Sequence, residues 1–449
     1  MTTNLKICVA GITSLILAAA AHGQSSYDNP QGAGKVYPWR IQDTETSPVP
    51  AAPASNPGNV SFRLLDSLAR QDESTAQVGD DVPVAPPTGQ ATGQVPLTVR
   101  SNAIYENGNY FGPECHWCQL GDVRRLFGTG PGGTRVGGFV QSGWHTRDIV
   151  PFNNRQDELN LHQFWAYVDR PANRSCGWGV GYRFDIVYGI DAQDIQAIGN
   201  RPNGAPTGWD NSMDHGRYGW AIPQAYVSFA NWNTEVRAGY FLSPFGFEQV
   251  PATENFFYSR TYSRYFSHPF THTGVIAQRE VTDNLTTIGG FTLGWDSAFE
   301  RTDGGFNFLG GVRYQAGPYV RLGLNSSIGD TGYRGSGTVQ NAFAQLKLTD
   351  RAHYVVEGTV VNLQGNDELG FANYLFYCVN PCVALGTRFE WWKGDRQTGT
   401  SNSTYDWTIG ANIRPHANFV IRPEVRVDWG ALAFTPGDLI YGIDAIILY

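Results

Sequence analysis

From about Thr134 to the last residue, apolar and polar positions alternate with a period of two. In Val420–Trp429, Ile421, Pro423, Val425, Val427 and Trp429 fall on one face, opposite Arg422, Glu424, Arg426 and Asp428. Val180, Tyr182, Phe184, Ile186 and Tyr188 alternate in the same way with Gly181, Arg183, Asp185 and Val187. This is the pattern of a β-strand with two unlike faces. Sixteen such runs are expected, at 134–145, 162–170, 178–188, 223–230, 234–241, 273–281, 285–295, 307–315, 319–328, 341–348, 352–361, 373–378, 382–392, 405–414, 419–429 and 439–449.

The connectors decide between architectures. Seven are short: 171–177, 231–233, 282–284, 316–318, 349–351, 379–381 and 415–418. They interleave with eight longer ones, at 146–161, 189–222, 242–272, 296–306, 329–340, 362–372, 393–404 and 430–438. A soluble sandwich has no reason for such interleaving, whereas an even-stranded transmembrane barrel places short turns at one end and long loops at the other. The expected fold is all-β: a transmembrane antiparallel up-and-down barrel of about 16 strands. Its last strand ends on Tyr449, the aromatic terminus usual for outer-membrane strands.

The first 133 residues differ. Residues 1–23 read as an export signal, with Lys6, an apolar stretch from Ile7 to Ala21 and a cut after Gly23. Residues 24–133 are expected to form a Pro/Gly-rich periplasmic linker, largely disordered, with short helices near 61–71 and 120–127. Composition fits a barrel better than a soluble multidomain chain. Only 16% of residues are charged while 13% are aromatic and 53 are Gly, and mean hydropathy is −0.31. A net charge of −8 argues against a nucleic-acid partner. After residue 23 no apolar run is long enough for a transmembrane helix, which leaves a closed barrel as the way to cross hydrocarbon.

Several stretches carry a family resemblance: Arg183-Phe-Asp-Ile-Val-Tyr-Gly-Ile-Asp191, Pro223-Gln-Ala-Tyr226, Gly246-Phe-Glu-Gln-Val-Pro-Ala-Thr-Glu-Asn-Phe-Phe-Tyr-Ser259, Pro269-Phe-Thr-His-Thr-Gly274, Leu293-Gly-Trp-Asp296 and Arg422-Pro-Glu-Val-Arg-Val-Asp-Trp429. In them the chain resembles the OmpL-like, beta-barrel porin-2 family. The resemblance implies a porin-like channel in the outer membrane and leaves its cargo open.

A sixteen-strand barrel is wide enough for an aqueous channel, so chemistry is expected on the inward faces. The strand candidates for lining or constriction are Arg183, Asp185, Arg237, Arg388, Glu390, Arg422, Glu424, Arg426 and Asp428, with Glu235, Arg313, Arg321 and Glu357 also inward. Loop 242–272 adds Glu248, Glu254, Arg260 and Arg264. It carries Phe256-Phe257-Tyr258, Tyr262 and Tyr265-Phe266, too many rings to leave in water. It is expected to fold back into the lumen, as the third loop of general porins does, setting Arg260 and Arg264 against carboxylates; packing over the rim or against a neighbouring subunit is the alternative.

Export makes disulfides the default for Cys115, Cys118, Cys176, Cys378 and Cys382. Cys378 and Cys382 flank one turn and are expected to staple it, while Cys115 or Cys118 pairs with Cys176. No cofactor or metal is expected, since the histidines show no ligand spacing. No enzyme is expected either, since there is no Gly-x-Ser-x-Gly. The leading function is passive diffusion of small hydrophilic solutes or ions. A structural anchor or binding protein, tethered to the cell wall or a periplasmic partner by the N-terminal extension, is the alternative. Outer-membrane lipid surrounds the barrel in either case, and a homotrimer is one expected assembly.

Overall fold

The computed structural model describes residues 126–149, 152–174, 177–198, 210, 213–299, 302–394 and 402–449. The export signal, the helix near 61–71, most of that near 120–127, Cys115, Cys118 and Cys176 lie outside the described residues.

Sixteen strands close into one antiparallel barrel: β1 (Arg135–His145), β2 (Asn160–Arg170), β3 (Gly179–Gly189), β4 (Gly219–Asn231), β5 (Thr234–Leu242), β6 (Thr271–Thr282), β7 (Leu285–Trp295), β8 (Phe306–Ala316), β9 (Val320–Asp330), β10 (Ser336–Lys347), β11 (Ala352–Leu363), β12 (Asn366–Asn380), β13 (Val383–Gly394), β14 (Asn402–His416), β15 (Phe419–Gly430) and β16 (Leu439–Leu448). Each strand pairs with its sequence neighbours, and β1 pairs with β16 to close the ring. At that seam Tyr449 and Gly138 exchange backbone hydrogen bonds, Tyr449 N to Gly138 O at 2.9 Å and Gly138 N to Tyr449 O at 3.0 Å.

The alternation read from sequence fixes which way each face points. Val180, Tyr182 and Phe184 of β3 face outward, while Asp185 and Val187 are buried inside. On β15, Val425 and Trp429 are exposed and Arg422, Glu424, Arg426 and Asp428 are buried. Rings mark both ends of the outer wall. Trp178, Trp232 and Tyr319 lie at the turn end, and the Tyr405–Trp429 stack, 5.5 Å between ring centres, at the loop end. This is the belt expected where strands leave lipid for water.

One connector expected to be long is not. Residues 362–372 are taken up by β11 and β12, leaving Gln364-Gly365 as a two-residue turn, with Gly365 at φ +80°. Asn366, Asp367 and Glu368 are polar on both faces because this strand end needs no apolar outer row once it stands beyond the hydrocarbon.

The cysteine expectation also changes. Cys378 is in a disulfide whose partner lies outside the described residues, and Cys382 is a free thiol. Strand register explains why the turn is not stapled: Ala384, not Cys382, stands opposite Cys378, which is buried among Phe247, Phe256, Tyr374 and Phe376.

Candidate lumen site

The connector between β5 and β6, residues 243–270, is the third loop. Its rings are buried: Phe245, Phe247, Phe256, Phe257, Tyr258, Tyr262 and Phe266 are each less than 5% exposed. They pack against the inside of the wall. Phe245 belongs with Ile276, Ile288, Trp295 and Leu309; Phe247, Phe256 and Phe257 with Tyr374 and Phe376; Val250 and Ala252 with Trp165, Val187 and Ala221. The loop therefore crosses the lumen, and its rings form the apolar core that the strands alone lack. Glycines on the inner wall admit this close approach. A Cβ at Gly386 would stand 2.4 Å from the Phe256 ring.

Polar groups of the wall hold the backbone of the loop. Glu424 accepts Tyr258 N at 2.9 Å and Ser259 N at 3.1 Å, and Glu390 accepts Tyr262 N at 2.6 Å and Ser263 N at 2.8 Å. Glu357 accepts Phe247 N at 2.9 Å. Arginines donate to loop carbonyls: Arg422 to Ala252 and Asn255, Arg388 to Ser259, Arg426 to Arg260, Arg334 to Phe266, Arg313 to Pro244. Arg388 also pairs with Glu248 at 2.9 Å and Asp406 at 3.2 Å. Buried charges are tolerated when hydrogen-bonded or paired: all of these are hydrogen-bonded, and Arg334, Arg388, Arg422 and Arg426 are also paired with carboxylates.

The sequence-selected residues thus divide into three sets. Arg388, Glu390, Arg422, Glu424 and Arg426 bond the third loop itself; Asp428 binds Arg426 Nε at 2.6 Å and Tyr262 Oη at 3.1 Å. Arg183, Asp185 and Arg237 stay on their own wall, Arg183 paired with Asp185 at 2.7 Å and Arg237 with Glu235 at 2.9 Å. On the loop, Glu248 binds Thr261 N at 2.8 Å, Glu254 is half-buried in a short turn, and Arg260 donates to the carbonyls of Phe257 and Tyr258. Arg264 donates to Pro269 O and bonds no carboxylate directly; the nearby carboxylates accept backbone amides.

One group escaped the sequence reading. Tyr258 Oη is hydrogen-bonded to His162 Nε2 at 2.5 Å and to His145 Nδ1 at 3.3 Å, and His162 Nδ1 to Asp191 at 2.8 Å. His145 occupies an inward position of β1, which alternation could have shown; His162 is turned inward by a bulge in β2, against the alternation that puts Phe164 and Val168 outside. Among the described residues no His, Cys, Asp or Glu group is arranged to hold a metal ion. In the second loop, burial above all raises Asp194 to about 7, with Asp191 adding to the effect. Burial likewise raises Asp210 to about 6 against hydrogen bonds from Ile222 and Ala197.

A closed antiparallel barrel of sixteen strands, apolar outside and charged inside with its third loop in the lumen, defines the porin-like barrels of outer membranes. The chain belongs to the putative beta-barrel porin-2, OmpL-like family, whose model matches residues 134–440. No curated protein matches it. Among solved structures, the outer-membrane expressed OmpT of Vibrio cholerae is 11% identical over 72% of this chain and 100% of that chain, with a TM-score of 0.48. A substituted porin of Rh. blastica is 9% identical over 70% of this chain and 100% of that chain, also at 0.48.

Proposed function

We propose that this barrel is a diffusion channel for small hydrophilic solutes or ions and that the third loop forms its constriction. The observation supporting this reading is the way the loop is held. Its backbone is tied at both amides and carbonyls to charges on the inner wall, which gives a chain segment inside a barrel a defined position. In this reading residues 1–23 are an export signal and the extension 24–133 is a periplasmic linker. One observation favours the second reading, a membrane anchor: the ring clusters of the loop reach several sides of the wall.

Planar-bilayer recording of the folded full chain separates the two. Steady ohmic steps are expected, and silence from a correctly folded barrel assigns the anchor role instead. Gly386→Val puts a side chain where the Phe256 ring lies and is expected to loosen the loop and raise unit conductance. Unchanged conductance in that variant would remove the loop as the constriction.

A further inference from the structure

The inner wall changes its balance of charge from one side of the barrel to the other. On the turn-end half of β1–β6, every inward arginine meets a carboxylate. Arg135 holds Asp169, Arg183 holds Asp185 at 2.7 Å and Arg237 holds Glu235 at 2.9 Å; Arg174, in the turn between β2 and β3, reaches Glu235 at 3.0 Å and Glu280 at 3.4 Å. Across the barrel, no inward position of β8, β9 or β10 is a carboxylate, while their turn ends carry Arg313, Arg321 and Lys347.

Arg313 shows the difference most directly. Its guanidinium points inward, 5.2 Å from the Phe343 ring centre, and donates to four neutral oxygens: Val312 O at 3.1 Å, Leu324 O at 3.2 Å, Pro244 O at 3.0 Å and Asn325 Oδ1 at 2.8 Å. Arg321 gives Nε to Gln315 Oε1 at 3.2 Å. Lys347 lies 3.0 Å from Asp350, a turn carboxylate that is 89% exposed, so water weakens that pair. Register gathers the three cations: Arg321 stands opposite Gln315, two residues from Arg313, and opposite Gln345, two residues from Lys347. All three are partly exposed. Glu357, Glu390 and Glu424, by contrast, are buried and bonded to amides of the third loop. A dissolved ion at this side of the turn end therefore meets positive charge. Such a surface raises the local concentration of anions, over a reach that grows from about 10 Å at 0.1 M salt to about 30 Å at 0.01 M.

We propose that the turn-end lumen selects small anions and that Arg313, Arg321 and Lys347 form the selecting surface. The inference deepens the channel reading, naming its substrate class, and rests on it. The compensated pairs of β1–β6 make up the facing side, where an anion meets no comparable excess of positive charge.

The test is the zero-current potential of the folded full chain in a planar bilayer, with about 0.1 M KCl on one side and about 0.01 M on the other. Folding is checked by heat-modifiable gel migration. An anion-selective lumen leaves the dilute side negative, and a chloride-to-potassium permeability ratio of about three or more is expected. Arg321→Gln combined with Lys347→Gln is expected to lower that ratio about twofold or more, and Arg321→Glu combined with Lys347→Glu to bring it below one. Raising both solutions tenfold is expected to move the wild-type ratio toward one, since salt screens the surface. A dilute side that turns positive in the wild type overturns the assignment, as does an unchanged ratio in either folded variant. If the double variants do not fold, Lys347→Gln, placed at the turn, decides by the same comparison. A silent barrel removes the channel reading and the selectivity with it, whereas a conducting barrel of the wrong sign keeps the channel and loses the selectivity alone.

Discussion

Two stretches of the same wall use the same side chains differently. On β3 and β5, Arg183 closes on Asp185 and Arg237 on Glu235, while Arg174, in the turn below, reaches Glu235 and Glu280. These pairs are completed largely within the wall. On β13 and β15, each arginine divides its donors. Arg422 holds Asp444 with Nε and Nη2 and gives Nη1 to Ala252 O and Asn255 O. Arg388 gives Nε to Asp406 and Nη1 to Glu248 and Ser259 O; Arg426 gives Nε to Asp428 and Nη1 to Arg260 O. An inward charge in a barrel is therefore not by that fact a pore-lining charge. On one side it finishes the wall, and on the other it positions the loop.

The sharpest way to break that difference is Arg388→Ala. It removes the arginine paired with buried Glu248 and the nearer of two arginines paired with buried Asp406, together with a bond to the loop backbone. Leaving one side of a buried pair uncompensated costs about 3–5 kcal/mol. The expected result is a lower urea midpoint for the folded barrel and noisier, larger conductance steps as the loop loses its tie. A barrel of wild-type midpoint and wild-type conductance would show that the loop does not depend on this wall.

Arg183→Ala is the matched change on the other side. Asp185 keeps two donors, Trp165 Nε1 at 2.8 Å and Gln224 Nε2 at 3.0 Å, and Arg183 itself is partly exposed. The loss is expected to be about 1.5–3 kcal/mol, the range for one charged hydrogen-bonded contact, with unit conductance unchanged. A conductance change as large as that of Arg388→Ala would erase the distinction between the two stretches.

Much of this was legible in the sequence, and the limits have physical causes. Period-two alternation groups Arg422, Glu424, Arg426 and Asp428 on one face, the alternating short and long connectors make that face the inner one, and all four are buried. Alternation is silent about what stands opposite. The acceptors of Arg422 include Asp444 on the neighbouring strand, which register supplies, and Ala252 and Asn255, which only the folded loop supplies. The same gap hid the Tyr258 contacts to His145 and His162. The burial of the third loop was legible because Phe256-Phe257-Tyr258 had to leave water somewhere; that the wall charges would serve its backbone was not. The turn at Gln364-Gly365 was missed because the polar strand end beyond the membrane has no apolar row to announce it.

The smallest expected effect lies in the second loop, between β3 and β4, where two carboxyls titrate near neutrality. Asp194 accepts Tyr265 Oη at 3.3 Å; Asp210 accepts Ala197 N at 3.3 Å and Ile222 N at 3.1 Å. Burial lifts their folded values from 3.8 to about 7 and about 6. A carboxyl raised on folding binds its proton more tightly in the packed loop than in the open one. The packed form is therefore favoured fully below about pH 4, where both states are protonated, and that advantage is lost as pH rises through about 6 and then about 7. Limited proteolysis of the folded barrel is expected to cut within 189–218 more slowly at pH 5 than at pH 8. Asp210→Asn, which cannot ionise, is expected to flatten the part of the profile centred near 6. Faster cutting at pH 5 would reverse the sign and remove burial as the cause. The effect stays small because opening this loop leaves the strand ladder intact, and Asp194 touches the third loop through Tyr265 at its edge, away from the amides held by Glu390 and Glu424.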